Sequence, residues 1–82
     1  MPRFRKKPIT VHAFQWNGEN FDEIKEFAGD SVSKDGGGET LTCATLKGPL
    51  TVQKNDWIVR GIMGEFYPVK PHIFTTIYDL YD

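Results

Sequence analysis

The residues best suited to chemistry are cations and aromatic rings, most of them in the second half of the chain. Arg60, Lys70 and His72 supply positive charge or hydrogen-bond donors. An aromatic platform beside an arginine suits a base and a phosphate, because the ring stacks on the base while the guanidinium pairs with the anion. These cations, the rings near them and one acid predict a ligand-binding site that comprises Trp16, Trp57, Arg60, Glu65, Tyr67, Lys70 and His72.

Several of these residues carry more than one interpretation. Arg60 lies in an apolar run, where a charge needs a partner or solvent. Glu65 follows across a tight turn, so an Arg60–Glu65 ion pair is the alternative to a ligand contact. Trp57 is large enough to anchor the core of a small domain instead of contacting a ligand. Among the rings we therefore expect Trp16 and Tyr67 to be the stronger contacts.

The sequence offers little for catalysis or metal binding. Its histidines are His12 and His72, and no serine–histidine–aspartate set or carboxylate pair has a recognisable spacing. The single cysteine, Cys43, cannot form an internal disulfide and is expected in the core. Cys43 and the histidines are too scattered along the chain to predict a metal site. We therefore expect a protein that is not an enzyme and that uses neither metal nor cofactor.

Size and charge narrow the class of protein further. The chain has 82 residues and a net charge of −1, which predicts a single domain over residues 1–82. Residues 1–7 form a basic arm, but acids outnumber bases in the remainder, so we expect no nucleic-acid partner. The sequence has neither a secretory signal nor an apolar run of membrane length, which predicts no membrane partner and a cytoplasmic location. The small size favours a homo-oligomer.

Hydrophobic periodicity predicts one helix in the first half of the chain. A strand over 8–16 carries bulky residues on both faces. A helix over 20–28 then has an apolar stripe, and Asn20 with Glu23 resembles a capping box. Gly29 is placed to end this helix with a positive φ.

The remainder of the chain has the two-residue period of short strands. The glycines at 36–38 predict a hairpin turn rather than a phosphate-binding loop, because no Gly-Lys-Ser/Thr ending follows them. Near the C-terminus, Pro71 allows a helical turn over 71–74, and the β-branched run after it favours extended chain. The expected strands are 31–33, 39–46, 50–53, 56–62 and 65–67.

Two blocks of sequence carry a family resemblance. The first is Phe4-Arg5-Lys6-Lys7-Pro8 with Ala13-Phe14-Gln15-Trp16, and the second joins Asn55-Asp56-Trp57-Ile58, Gly64-Glu65-Phe66-Tyr67-Pro68 and Lys70-Pro71. With these blocks the whole chain resembles a widespread family of small phage and prophage proteins. Lys54-Asn55 stands where that family usually has Pro-Gly, and His72 stands where it often has aspartate. The resemblance implies a phage origin and a compact domain, and it implies no catalytic residue.

These observations predict an α+β fold, a bent antiparallel sheet of about five strands with one short helix packed on it. The leading hypothesis for function is non-enzymatic binding. A phage protein of this kind would sequester a small anionic, nucleotide-like host immune signal and so blunt a defence pathway. The hypothesis requires Arg60 and Lys70 to converge beside stacked rings over an accessible hollow.

Two alternative functions belong to other classes. The first is a protein–protein interaction module for a host or phage protein, which predicts an exposed apolar patch of Phe14, Trp16 and Tyr67. The second is a small hydrolase, which predicts turnover that depends on Glu65 or His72.

Overall fold

A computed structural model describes residues 2–3, 10–36 and 38–79. The basic arm over 1–7 and the start of the expected strand over 8–16 lie largely outside the described residues. Helices and strands follow in the order β1 (His12–Gln15), α1 (Phe21–Ala28), a 3-10 turn (Gly29–Ser31), β2 (Val32–Lys34), β3 (Leu41–Thr45), β4 (Gly48–Val52), β5 (Trp57–Arg60), β6 (Phe66–Val69) and α2 (Pro71–Ile77).

The strands form two antiparallel sheets instead of one. Sheet A has the strand order β1-β5-β6, and sheet B has the order β2-β3-β4. The predicted α+β class with antiparallel strands is confirmed. The prediction of one sheet of about five strands with one helix is wrong, because the described chain has six strands and two α-helices. The chain leaves sheet A after β1, passes through α1, and begins sheet B with β2, so the strands do not form one meander.

The second helix is longer than the helical turn over 71–74 that the sequence predicts. Pro71 occupies the start of α2, as predicted. Helix α2 then continues through the β-branched residues to Ile77. The hydroxyls of Thr75 and Thr76 donate to the carbonyl oxygens of Pro71 and His72, at 3.2 and 2.8 Å. These bonds to the preceding turn let threonine satisfy its hydroxyl within a helix.

Helix α1 packs through the apolar stripe that its sequence predicts, and Ile24 and Ala28 are buried. Its N-terminus differs from the expected capping box. The Asn20 side chain makes no bond to a helix amide; its Nδ2 donates to the Glu23 carboxylate and to the Gln15 carbonyl, each at 2.8 Å. Asn20 therefore ties the start of α1 to the end of β1. Gly29 ends the helix with a φ of 59°, as predicted in sign.

The core lies between α1 and the inner faces of the two sheets. Trp16 is only 3% exposed, and its indole Nε1 donates to the carbonyl oxygen of Glu39 at 2.6 Å. Cys43 is fully buried, which confirms its predicted place in the core, and burial raises the pKa of its thiol. The buried residues that form one cluster are Trp16, Ile24, Ala28, Val32, Leu41, Cys43, Val52 and Ile58.

The glycine-rich segment lies in the hairpin between β2 and β3, as predicted, with Gly37 outside the described residues. The carboxylate of Asp35 accepts hydrogen bonds from the hydroxyls of Thr42 and Thr40, at 2.6 and 2.8 Å. These bonds lower the pKa of Asp35, that of Thr42 having the larger effect. The hairpin is therefore held by a carboxylate rather than arranged to bind a phosphate.

Candidate binding site

The two cations of the predicted site lie at opposite ends of the β5–β6 hairpin. Arg60 pairs with Phe66 near the turn, whereas Trp57 pairs with Val69 at the far end, immediately before Lys70. Lys70 lies four positions beyond Phe66 along the chain, or about 13 Å in extended geometry. The prediction that Arg60 and Lys70 converge is therefore wrong. In an antiparallel hairpin, neighbours are placed symmetrically about the turn, and the turn after Arg60 sets Phe66, not Lys70, beside it.

Lys70 forms a salt bridge with a buried aspartate. Its Nζ lies 3.1 Å from Oδ2 of Asp56 and 3.3 Å from Oε1 of Gln53. Asp56 is only 2% exposed, and the same Oδ2 accepts the backbone N–H of Gln53 at 2.9 Å. Lys70 thus compensates a buried carboxylate, a role that the sequence analysis did not predict.

Arg60 makes a different contact from the expected ion pair with Glu65. Its guanidinium lies over the ring of Phe27, 5.6 Å from the centroid. The Glu65 carboxylate instead accepts the N–H of Met63 at 3.0 Å and lies against Gly61, where a Cβ would overlap it. Because Arg60 pairs with Phe66, Glu65 belongs to the opposite face of the sheet. The Arg60–Glu65 pair is absent from the described part of the chain.

The predicted rings are divided among different environments. Trp57 stacks on Phe74 of α2 with ring centroids 4.1 Å apart and planes within 6°, so it attaches α2 to sheet A. Burial, the neighbouring Tyr78 hydroxyl and the nearby Glu65 carboxylate, in that order of effect, raise the pKa of Tyr67 to about 12. Tyr67 is therefore a neutral hydroxyl at physiological pH.

Trp16 and His72 lie away from those rings. Trp16 is a core residue, so the expectation that it is a strong ligand contact is wrong. The exposed patch of Phe14, Trp16 and Tyr67 that the alternative function predicts is likewise not formed, because Trp16 is buried. His72 is exposed in the first turn of α2, beyond the end of β6.

A cavity lies between the β3–β4 turn and strand β6. It has a volume of about 330 Å³, and we call it the groove. Leu50 lies on the same face of sheet B as the buried Cys43, with which it pairs, so the groove continues the core where the two sheets separate. The groove is lined by Thr45, Leu46, Lys47, Leu50, Glu65, Phe66, Tyr67 and Pro68.

One exposed apolar turn lines this groove, and a second leads to Glu65 in its wall. Leu46, in the β3–β4 turn, is 81% exposed. Ile62 and Met63, in the β5–β6 turn that leads to Glu65, are 72% and 80% exposed. Gly64 completes the second turn with a φ of 80°, in the region that favours glycine. We call Leu46, Ile62, Met63 and the groove together the turn-end surface.

Both turns of this surface are held by hydrogen bonds. The Thr45 hydroxyl donates to the carbonyl oxygen of Gly48 at 2.6 Å and accepts the N–H of Lys47 at 3.1 Å. In the other turn, the Gly61 carbonyl accepts the N–H of Gly64 at 3.0 Å, in addition to the Met63–Glu65 bond. These bonds fix the backbone that carries the exposed apolar side chains.

Of the seven predicted site residues, Glu65 and Tyr67 line the groove. Sequence reasoning missed Leu46, Lys47, Leu50 and Pro68. A signal for the first was present: a leucine in a two-residue turn before Gly48, where polar residues usually stand. Leu50 carried no such signal, because its exposure depends on where the two sheets separate.

Two further features are absent from the described ranges. No group of histidine, cysteine and acidic residues there has the arrangement of a metal site. No helix there has the length and apolar character needed to cross a bilayer. Comparisons of the chain with protein-family models, curated proteins and solved structures found no match.

Proposed function

We propose that this protein is a non-enzymatic binding module that takes an apolar side chain of a protein partner into the groove. One observation carries the proposal: a cavity of about 330 Å³ lies between the β3–β4 turn and strand β6, and Leu46, which lines it, is 81% exposed. Contiguous exposed apolar surface of this kind is typical of interaction sites. Cavities that hold small ligands begin at about this volume and have mainly apolar walls.

The hydrogen bonds within the two turns support binding energetically. Thr45 bonds to Gly48 and Lys47, and Glu65 bonds to Met63, so the exposed side chains project from backbone that is already ordered. A surface ordered before binding loses less conformational entropy when a partner docks.

The charges beside the groove define the polar contacts that a partner would make. Lys47 and Glu65 both line it, and neither forms a salt bridge within the described part of the chain. Interfaces commonly combine an apolar centre with a polar rim. The matching partner has one or two apolar side chains flanked by an acid and a base.

A titration with minimal side-chain probes tests this proposal. In ¹H–¹⁵N spectra of dilute protein, N-acetyl-leucinamide is expected to shift the amides of residues that line the groove, with millimolar affinity. N-acetyl-glutamine amide serves as the polar control and is expected to shift none. Leu50→Trp, which fills the groove, should abolish the leucinamide shifts, whereas Thr51→Trp on the neighbouring residue should retain them. Equal shifts with both probes, or shifts elsewhere, would overturn the proposal.

A second candidate is the capture of a small anionic, nucleotide-like host signal, and Arg60 alone favours it. Arg60 is exposed, forms no salt bridge within the described ranges, and faces His12 directly across the β1–β5 ladder. Calorimetry with cyclic dinucleotides and ADP-ribose tests it. We expect any heat to be lost in Arg60→Ala and kept in Lys54→Ala. If no ligand of the panel gives heat, anion capture is excluded for that class.

The hydrolase alternative has less support. Glu65 precedes β6 and His72 follows it, so the length of that strand separates the two residues that the alternative names. The resemblance to phage proteins supplies the proposed setting for either binding function, the cytoplasm of a host cell.

A further inference from the structure

We infer that the partner at the groove is a second copy of this chain, in a two-fold dimer in which the Leu46 turn of each copy enters the groove of the other. This inference rests on the proposed function, and it names the partner. The partner is a second copy because the turn-end surface is complementary to itself in shape and in charge.

The complementarity in shape comes from the position of Leu46. Leu46 borders the groove and also projects from it, with 81% of its surface exposed. A projecting side chain therefore lies beside the cavity that would receive its equivalent. A two-fold interface needs this arrangement, because each contact from one copy to the other is repeated in reverse. A projection and a cavity on opposite faces would instead build a closed ring or an open filament.

The complementarity in charge comes from Lys47 and Glu65. Lys47 follows Leu46 in the projecting turn, and Glu65 lines the opposite wall of the groove. When the turn of one copy enters the other, its Lys47 approaches the partner's Glu65, and the symmetry forms this pair twice. Within one chain the two residues form no salt bridge among the described residues, so neither has a counter-ion there, although the Glu65 carboxylate accepts the N–H of Met63.

The amount of exposed apolar surface also favours a partner of this kind. A chain of 82 residues buries a smaller fraction of its surface than a larger domain does. The large apolar residues of the turn-end surface are among the most exposed in the described chain. A dimer through this surface would cover Leu46, Leu50, Ile62 and Met63 together.

Sedimentation equilibrium over a wide range of concentration tests the inference. We expect the wild-type mass to rise from 9.4 kDa towards twice that value. Leu46→Asp should stay monomeric, because it would place a charge in the apolar groove. Ile73→Asp, at an exposed apolar position in α2, is the matched control and should dimerise as the wild type does.

A charge-exchange cycle tests the geometry. Lys47→Glu and Glu65→Lys each place like charges together twice in the dimer, so each is expected to weaken self-association about tenfold. The double variant restores both pairs and should recover most of the wild-type affinity. Circular dichroism of each variant at low concentration checks that the monomer is folded. Because Glu65→Lys also removes the acceptor of the Met63 N–H, Lys47→Glu and Lys47→Met, which leave that turn intact, provide a second comparison: both should weaken self-association, and Lys47→Glu should weaken it more.

The outcomes separate this inference from the proposed function. A wild-type mass that stays at 9.4 kDa throughout overturns the dimer, and leucinamide shifts in the groove would then leave the proposed function standing with a different partner. Dimerisation that survives Leu46→Asp, or a double variant as weak as the single ones, overturns this interface. Loss of the leucinamide shifts in a monomeric sample overturns the proposed function itself.

Discussion

The two ends of the β5–β6 hairpin differ in whether their side chains have partners within the fold. At the Lys70 end, the buried Asp56 has a counter-ion and Trp57 stacks on Phe74. At the turn end, apolar side chains point into solvent. Charged and aromatic residues that looked functional in the sequence are thus used to hold the fold at one end, while the surface available to a partner lies at the other.

The largest expected difference between the two ends concerns their lysines. Lys70→Met should lower the free energy of unfolding by about 2 kcal/mol, because it leaves the buried Asp56 carboxylate without its cation while partial exposure of Lys70 moderates the loss. Lys47→Met should change it by less than about 0.5 kcal/mol, as exposed substitutions usually do. Urea unfolding measures the change in the free energy of unfolding in both variants. Equal changes would contradict the difference between the two ends.

The aromatic contact with α2 gives the next largest effect. Phe74→Ala removes the ring stacked on Trp57 and should lower the free energy of unfolding by about 1–2 kcal/mol. Leu46→Ala, which truncates an exposed side chain, should leave the stability of the monomer unchanged within about 0.5 kcal/mol. Thermal unfolding at low concentration compares the two. A larger loss in Leu46→Ala would mean that the turn is part of the core.

The raised pKa of Tyr67 predicts a loss of stability at alkaline pH. Its pKa is about 12 in the folded chain against an ordinary value of 10.0, so the folded state keeps a proton that the unfolded state loses. This stabilisation is fully present below pH 10 and declines as the pH rises from about 10 through about 12. Buried Cys43, whose thiol pKa is raised above 9.0, adds to the decline.

The pH dependence of the unfolding temperature tests the contribution of Tyr67. Tyr67→Phe has no hydroxyl to ionise, so its unfolding temperature should fall less steeply than that of the wild type above pH 10. The contribution of Cys43 is common to both proteins and cancels in the comparison. Parallel curves would show that Tyr67 titrates normally.

The smallest effect is expected at acidic pH, from Asp35. Its pKa lies below the ordinary 3.8, so it stabilises the folded chain above that pH, and the contribution is lost as the pH falls through the lowered value. Asp35→Asn should therefore reduce the difference in stability between pH 5 and pH 2. Acid unfolding monitored by circular dichroism measures this difference. If Asp35→Asn loses as much stability between pH 5 and pH 2 as the wild type does, the role of the threonine hydroxyls is contradicted.

Local signals in the sequence were sufficient for most elements of the fold. The apolar stripe predicted α1, the two-residue period predicted short antiparallel strands, and Pro71 predicted the start of α2. The division into two sheets was not predictable, because no local sequence pattern determines that β1 pairs with β5 instead of β2. The length of α2 was also missed, since hydroxyl bonds to the preceding turn offset the strand preference of its threonines.

The site was less accessible from sequence than the fold. Residue types identified Arg60 and Lys70 as a pair, but the strand register places them apart, and a register is set by the turn rather than by the residues it separates. The burial of Trp16 depends on packing from both sheets. The groove itself exists only where the sheets diverge, which no single segment encodes.

Site-specific photo-cross-linking at both ends tests the central claim most directly. Benzoylphenylalanine replaces Leu46 at the turn end in one variant and Ile73 on α2 in the other, both at exposed apolar positions. On irradiation of cells that express the protein, we predict a discrete product from position 46, which Leu50→Trp abolishes, and none from position 73. A product from position 73 alone, or one from position 46 that persists when the groove is filled, would contradict the assignment of the binding surface to the turn end.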